Sequence, residues 1–113
     1  MTRCNKNLTE ERWFKLSFFE QMANVGSDLE RAIKWKEEHP GRSTSAFESA
    51  LELLDLTIDD KKNRARPILK ELCRLREVLV DYFCFDNIYG SSDEKWNSYF
   101  YAFNYAASLN FAQ

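Results

Sequence analysis

The sequence predicts an all-α fold, an antiparallel four-helix bundle with a long first helix. Apolar residues recur three and four positions apart rather than two, which is the helical period. Only three glycines and two prolines interrupt the chain, and they fall at Pro40-Gly41, Pro67 and Gly90, where breaks are expected. No long linker, repeat or low-complexity tract divides the 113 residues, so a single domain is expected, able to bury roughly 65% of its unfolded surface.

The first helix is predicted over 10–38, after a flexible start at 1–8. Thr9 is a suitable N-cap, and Glu10 and Glu11 suit the positive end of the helix dipole. Phe14, Phe18, Met22, Val25, Leu29 and Ala32 form one stripe, with Phe19, Gly26 and Ile33 on its flank. Gly26 weakens a helix by about 1 kcal/mol relative to alanine, but on that flank it lets a neighbouring helix approach closely. A break at 24–27 is the alternative. The helix is expected to stop before Pro40, with His39 as a C-terminal cap.

The second helix is predicted over 45–59, with Ser45 and Glu48 at capping-box spacing and Phe47, Leu51, Leu54 and Ile58 inward. The third is predicted over 66–84, with Pro67 in its first turn, where its missing N–H costs nothing. Ile68, Leu72, Leu75, Leu79 and Tyr82 line it. The fourth is predicted over 92–109, opened by a Ser91/Glu94 capping box, with Trp96, Tyr99, Phe100, Phe103, Ala106 and Ala107 on its apolar side. Short connections between four such helices imply an antiparallel bundle.

Composition excludes several function classes. Sixteen basic and 18 acidic side chains leave a net charge of −2, which gives no general attraction to nucleic acid or anionic lipid. The run Lys61, Lys62, Arg64, Arg66 and Lys70 is short, borders Asp59 and Asp60 and has no interleaved aromatic, so a solvated helix start is preferred over an RNA contact. No apolar stretch approaches the roughly 18 residues of a membrane span, and the start lacks a signal-peptide run. Three cysteines, Cys4, Cys73 and Cys84, without a Cys-x-x-Cys pair, suit reduced thiols in a cytoplasm. Cys73 and Cys84 are expected to be small buried hydrophobes. One histidine and scattered cysteines lack metal-ligand spacing. No catalytic constellation or cofactor motif is present.

Two groups of residues remain as candidates. Arg76 lies inside the apolar arc of the third helix, where a guanidinium needs a partner. Glu20, Glu71 or Asp81 is the expected one if it is structural. With Asp81, Tyr82 and Asn87 it forms the candidate small-ligand or nucleotide site, next to the polar loop 85–93, in which Ile88 and Tyr89 are expected to tuck onto the core. The acidic face Glu48, Glu52, Asp55 and Asp59 reads as solvated, or as a dock for a basic partner or for Arg64, Arg66, Lys70 and Arg74. The second group is aromatic. Tyr101 and Tyr105 project nearly opposite Trp96, Phe100 and Phe103, and Trp13 and Trp35 fall on the polar side of the first helix. Tyrosines clustered on an outer face suit interfaces, so a homodimer is expected, with an unidentified protein partner as a further possibility.

The segments 24–27, 50–58, 70–74 and 89–92 (NVGS, ALELLDLTI, KELCR and YGSS) resemble a family of small uncharacterised prokaryotic helical proteins, over about 13–107. That resemblance implies a prokaryotic, intracellular setting and transfers no activity. In architecture the chain is also similar to HEPN-type domains, whose nucleases place an arginine, four to six residues and then a histidine. Before His39 the matching positions hold Ala32, Ile33 and Lys34, so this likeness implies at most an RNA-associated relative without the nuclease motif. The expected function is a non-enzymatic, dimeric interaction or accessory module, with the Arg76 ligand bundle as the alternative.

Overall fold

The computed structural model describes residues 6–65 and 67–112. They form six helices and, among the described residues, no strand: α1 (Lys6–Lys15), α2 (Phe18–Trp35), α3 (Pro40–Asp59), α4 (Lys61–Arg64), α5 (Leu69–Cys84) and α6 (Asp93–Ala112). The all-helical expectation holds. The long first helix does not.

The first helix breaks at Leu16-Ser17, not near Gly26. Ser17 is extended, its hydroxyl accepts from the Glu20 amide at 3.1 Å, and the Glu20 carboxylate accepts from the Ser17 amide at 2.9 Å. This reciprocal pair satisfies two amides that a new helix start leaves open. Residues 6–8 and Thr9 lie within α1, rather than in a flexible start and at a cap. The break resets the helical phase, so Trp13 turns inward while Phe14 stays 38% exposed.

Pro40 is the first residue of α3 and does not close a helix. Its fixed φ and missing N–H fit a first turn. His39 therefore precedes a helix start and makes no side-chain cap, and Ser45 sits inside α3. At the next boundary Asp60 caps α4 by accepting from the Lys62 amide at 3.1 Å. α5 begins at Leu69, two residues after Pro67. At α6 it is Ser92, not Ser91, that accepts from the Lys95 amide at 3.2 Å.

α2 is the central helix and packs against both α3 and α6. Its inward side chains Met22, Val25, Leu29 and Ala32 are completely covered. Gly26 is the point of closest approach: a β-carbon there would stand 2.8 Å from Cβ of Phe100 and 2.9 Å from its Cδ1. Ser43 bonds the Ala32 carbonyl at 2.6 Å, and Ser49 bonds the Asp28 carboxylate at 2.6 Å, stapling α3 to α2. Asp28 also receives Arg31.

A buried polar knot joins α1, α2, α3 and α4. Gln21, fully covered, donates from Nε2 to the Trp13 carbonyl at 2.9 Å and to Asp60 at 2.8 Å, and accepts from Asn63 at 2.9 Å. Asn63 also donates to the Thr57 carbonyl at 2.9 Å, and Trp13 Nε1 donates to the Thr57 hydroxyl at 3.0 Å. Losing one partner of a buried group costs about 1–3 kcal/mol, so the knot is strongly position-specific. Burial pushes the Asp60 pKa up, but hydrogen bonds from Lys62 and Gln21 outweigh it and hold the carboxyl below its ordinary value.

Gly26→Ala gains about 1 kcal/mol of helix propensity and loses about 1–3 kcal/mol to overpacking against Phe100; urea unfolding should show a net loss, and a gain would refute the contact. A carboxyl whose pKa is depressed by folding stabilises the fold above its unfolded value, and that stability is lost as pH falls from about 4 through the depressed value. Asp60→Asn should therefore narrow the stability difference between pH 7 and pH 3, and an unchanged difference would contradict the assignment.

Candidate interaction surfaces

The four residues of the candidate ligand site do not converge. Arg76 lies on α5 and turns to α3, donating from Nε to Asp55 Oδ1 at 2.6 Å and from Nη2 to Asp55 Oδ2 at 3.3 Å. Its partner is thus Asp55, not Glu20, Glu71 or Asp81. The Arg76 side chain is 40% exposed and Asp55 50%, so this is a surface pair rather than a buried guanidinium and contributes at most about 1 kcal/mol. The acidic face of α3 is accordingly docked in part on this chain, with Asp59 paired to Arg64 at 3.3 Å. Arg66, placed in the same basic cluster by the sequence, lies outside the described residues. Tyr82 faces elsewhere and bonds Asp93, while Lys36 reaches both Tyr82 at 3.2 Å and Asp93 at 3.0 Å. This clamp ties the end of α2 and α5 to the start of α6.

Asp81 and Asn87 do meet, as braces of the loop over 85–92. Asp81 is buried and holds four loop amides. Its carbonyl accepts from Phe85 at 3.1 Å and Asn87 at 3.2 Å. Its carboxylate accepts from Ile88 and from Tyr89, each at 3.1 Å. Asn87 adopts φ 54°, and its amide both donates to the Ser91 carbonyl at 2.9 Å and accepts from the Ser91 amide at 2.8 Å. Such a left-handed residue fits the short polar side chain of asparagine. Gly90 (φ 68°) completes the turn, and Lys95 bonds its carbonyl at 3.1 Å. Tyr89 bonds Glu77 and lies under Arg74. The loop is rigidly held, yet Ile88 is 78% exposed and Phe85 72% exposed. Neither Ile88 nor Tyr89 tucks onto the core, because the backbone follows the Asp81 carboxylate and turns both side chains outward.

The aromatic candidates divide. Trp13 is only 6% exposed and belongs to the core, a correction that follows from the phase reset at Ser17. Trp35 is half-buried under its own chain, with Lys34 and Arg42 against its ring and His39 at its edge. Tyr101 and Tyr105 are 67% and 58% exposed, while Trp96 and Phe100 on the opposite side are buried. From Trp96 to Ala112, α6 carries no charged side chain. Its exposed face holds Asn97, Ser98, Tyr101, Ala102, Asn104 and Tyr105 in a chain that is 30% charged. Beside this face, between α2 and α6, runs a cleft of about 250 Å³ with Leu29, Trp96 and Phe100 as its apolar wall and Glu30, Asn97 and Asn104 at its rim. Trp96 Nε1 is buried with no acceptor among the described residues.

Cys73 and Cys84 are both exposed, not buried as expected. Among the described residues no group of histidine, cysteine, aspartate and glutamate is placed to hold a metal ion, and no helix is long and apolar enough to cross a membrane. No protein-family model, curated protein or solved structure matches this chain.

Asp81→Ala removes two acceptors from the loop. Amide exchange at Ile88 and Tyr89 should accelerate at least about tenfold, while exchange in α2 stays unchanged. Unaltered protection at both amides would show that the loop does not depend on Asp81.

Proposed function

We propose that this chain is a non-enzymatic helical interaction module that pairs with a second copy of itself through the outer face of α6. The supporting observation is the exposed side of that helix from Trp96 onward, which carries no charge and on which Tyr101 and Tyr105 stand side by side. Charged residues are depleted and tyrosine enriched at the centres of interfaces. In a two-fold pairing the same patch meets itself, so every charge near the axis is doubled by a like charge. A face without charges escapes that repulsion. One helix stripe supplies only part of the roughly 800 Å² per partner of a stable interface, and the adjoining surface of α2 at Ala23 and Asn24, which borders Asn104 and Ala107 of α6, adds to it. The module is read as a cytoplasmic accessory to another protein system, a reading supported by the resemblance of 24–27, 50–58, 70–74 and 89–92 to small prokaryotic helical proteins.

Sedimentation equilibrium at tens of micromolar should give a dimer. Replacing Tyr101→Glu and Tyr105→Glu together puts charges at the pairing face and should weaken association at least tenfold, with stability of the subunit changed by no more than about 0.5 kcal/mol, as for other surface positions. A parent protein that sediments as a monomer throughout this range contradicts the proposal.

A further inference from the structure

We propose that the cleft between α2 and α6 binds a small organic ammonium ion that also carries an oxygen acceptor, a function separate from pairing through the outer face. The cleft holds about 250 Å³, with Leu29, Trp96 and Phe100 as its wall and Glu30, Asn97 and Asn104 at its rim. Two of these groups lack partners within the chain. Trp96 is 6% exposed, and its indole N–H is buried with no acceptor among the described residues. Buried donors are nearly always satisfied, because one left unmade costs free energy that an arriving oxygen recovers. Glu30 is exposed and makes no ion pair or hydrogen bond among the described residues. A carboxylate at the mouth of an apolar recess draws a cation, and its charge strengthens any hydrogen bond it accepts.

Charge selects the ligand. Glu30 is the one ionised side chain lining the cleft among the described residues. Arg31 and Lys34 share the adjoining hollow with it, yet each is engaged elsewhere: Arg31 bonds Asp28, and Lys34 lies over the Trp35 ring, 5.3 Å from its centre. Lys95, next to Trp96 in the chain, bonds the Gly90 carbonyl. Glu94 stands one helical turn before Asn97 on the same side of α6 and adds a second negative charge. An anion would meet Glu30 with the nearby cations already engaged. A purely apolar guest leaves both the indole N–H and the carboxylate unanswered. An ammonium ion with a hydroxyl or carbonyl oxygen answers both, and the exposed ring of Tyr101 at the edge of the cleft attracts the same charge.

The test titrates the isotope-labelled full chain with choline, a quaternary ammonium ion bearing a hydroxyl, and follows the indole N–H resonances by NMR. Binding should saturate with a Kd below about 10 mM. The Trp96 indole resonance should move downfield as its hydrogen bond forms, while that of Trp13, already bonded to Thr57, stays in place. Glu30→Gln, at an exposed position, should keep the parental melting temperature and raise Kd at least about tenfold. Dimethylbutanol, the neutral isostere with carbon in place of the choline nitrogen, should bind weaker by at least about the same factor. Tetramethylammonium, which lacks the oxygen, should leave the Trp96 resonance unmoved. Tyr105→Glu, on the pairing face and outside the cleft, should keep Kd within about twofold. Several results would overturn the inference: no saturation, a Trp96 resonance that choline does not move or that tetramethylammonium moves as far, an isostere that binds as tightly, a Glu30→Gln Kd within twofold of the parent, or loss of binding in Tyr105→Glu, which would assign it to the dimer.

Discussion

The close seat of Phe100 against Gly26 fixes how α6 is turned about its own axis. A β-carbon at Gly26 would lie 2.8 Å from Phe100 Cβ, so only glycine leaves room for the ring at that level. Once Phe100 and Trp96 are directed inward, the helical period of 100° per residue sends Tyr101 and Tyr105 outward. The clamp of Lys36, Tyr82 and Asp93 holds the first turn of α6 in the same orientation. The uncharged face is therefore a consequence of one backbone-to-ring contact and one polar tether, not of loose packing.

At the other end of α2 the fold depends on polar rather than apolar fit. Gln21 is wholly covered and uses both ends of its side-chain amide, Nε2 donating to Trp13 of α1 and to Asp60 and Oε1 accepting from Asn63 of α4. Apolar contacts are non-directional and tolerate a sliding helix, whereas a buried amide tolerates only the register that satisfies it. Trp13 links the two kinds of constraint, packing in the core while its indole N–H meets Thr57. That is how a ten-residue α1, too short to be stable alone, gains a defined place.

The parts of the structure legible in the sequence were those set by helical period within one segment. The stripe Phe18, Met22, Val25, Leu29 and Ala32 is buried as its spacing implied, Gly26 admits another helix, and Tyr101 and Tyr105 face outward. What escaped was set by choices between segments. The interval from Phe14 to Phe18 preserves helical spacing straight through the break, so the period hides it; the Ser17/Glu20 pair was the available signal. Pro40 is compatible with ending one helix or starting the next, and the pattern alone does not choose. Arg76 finds Asp55 on another helix, a pairing with no trace in local spacing. The exposure of Ile88 follows from Asp81, whose carboxylate holds the Ile88 and Tyr89 amides, and Phe85 stands at the C-cap of α5, where only its backbone is held. The absence of charge after Lys95 is open to view in the sequence and is what the proposed pairing rests on.

The proposed pairing of two copies across α6 is tested most directly by hydroxyl-radical footprinting of Tyr101 and Tyr105 as protein concentration is raised. Reactivity at both rings should be high at the lowest concentrations and fall together as the dimer forms, while the buried Phe100 stays protected throughout. Rings that remain equally reactive at every concentration would contradict pairing through this face.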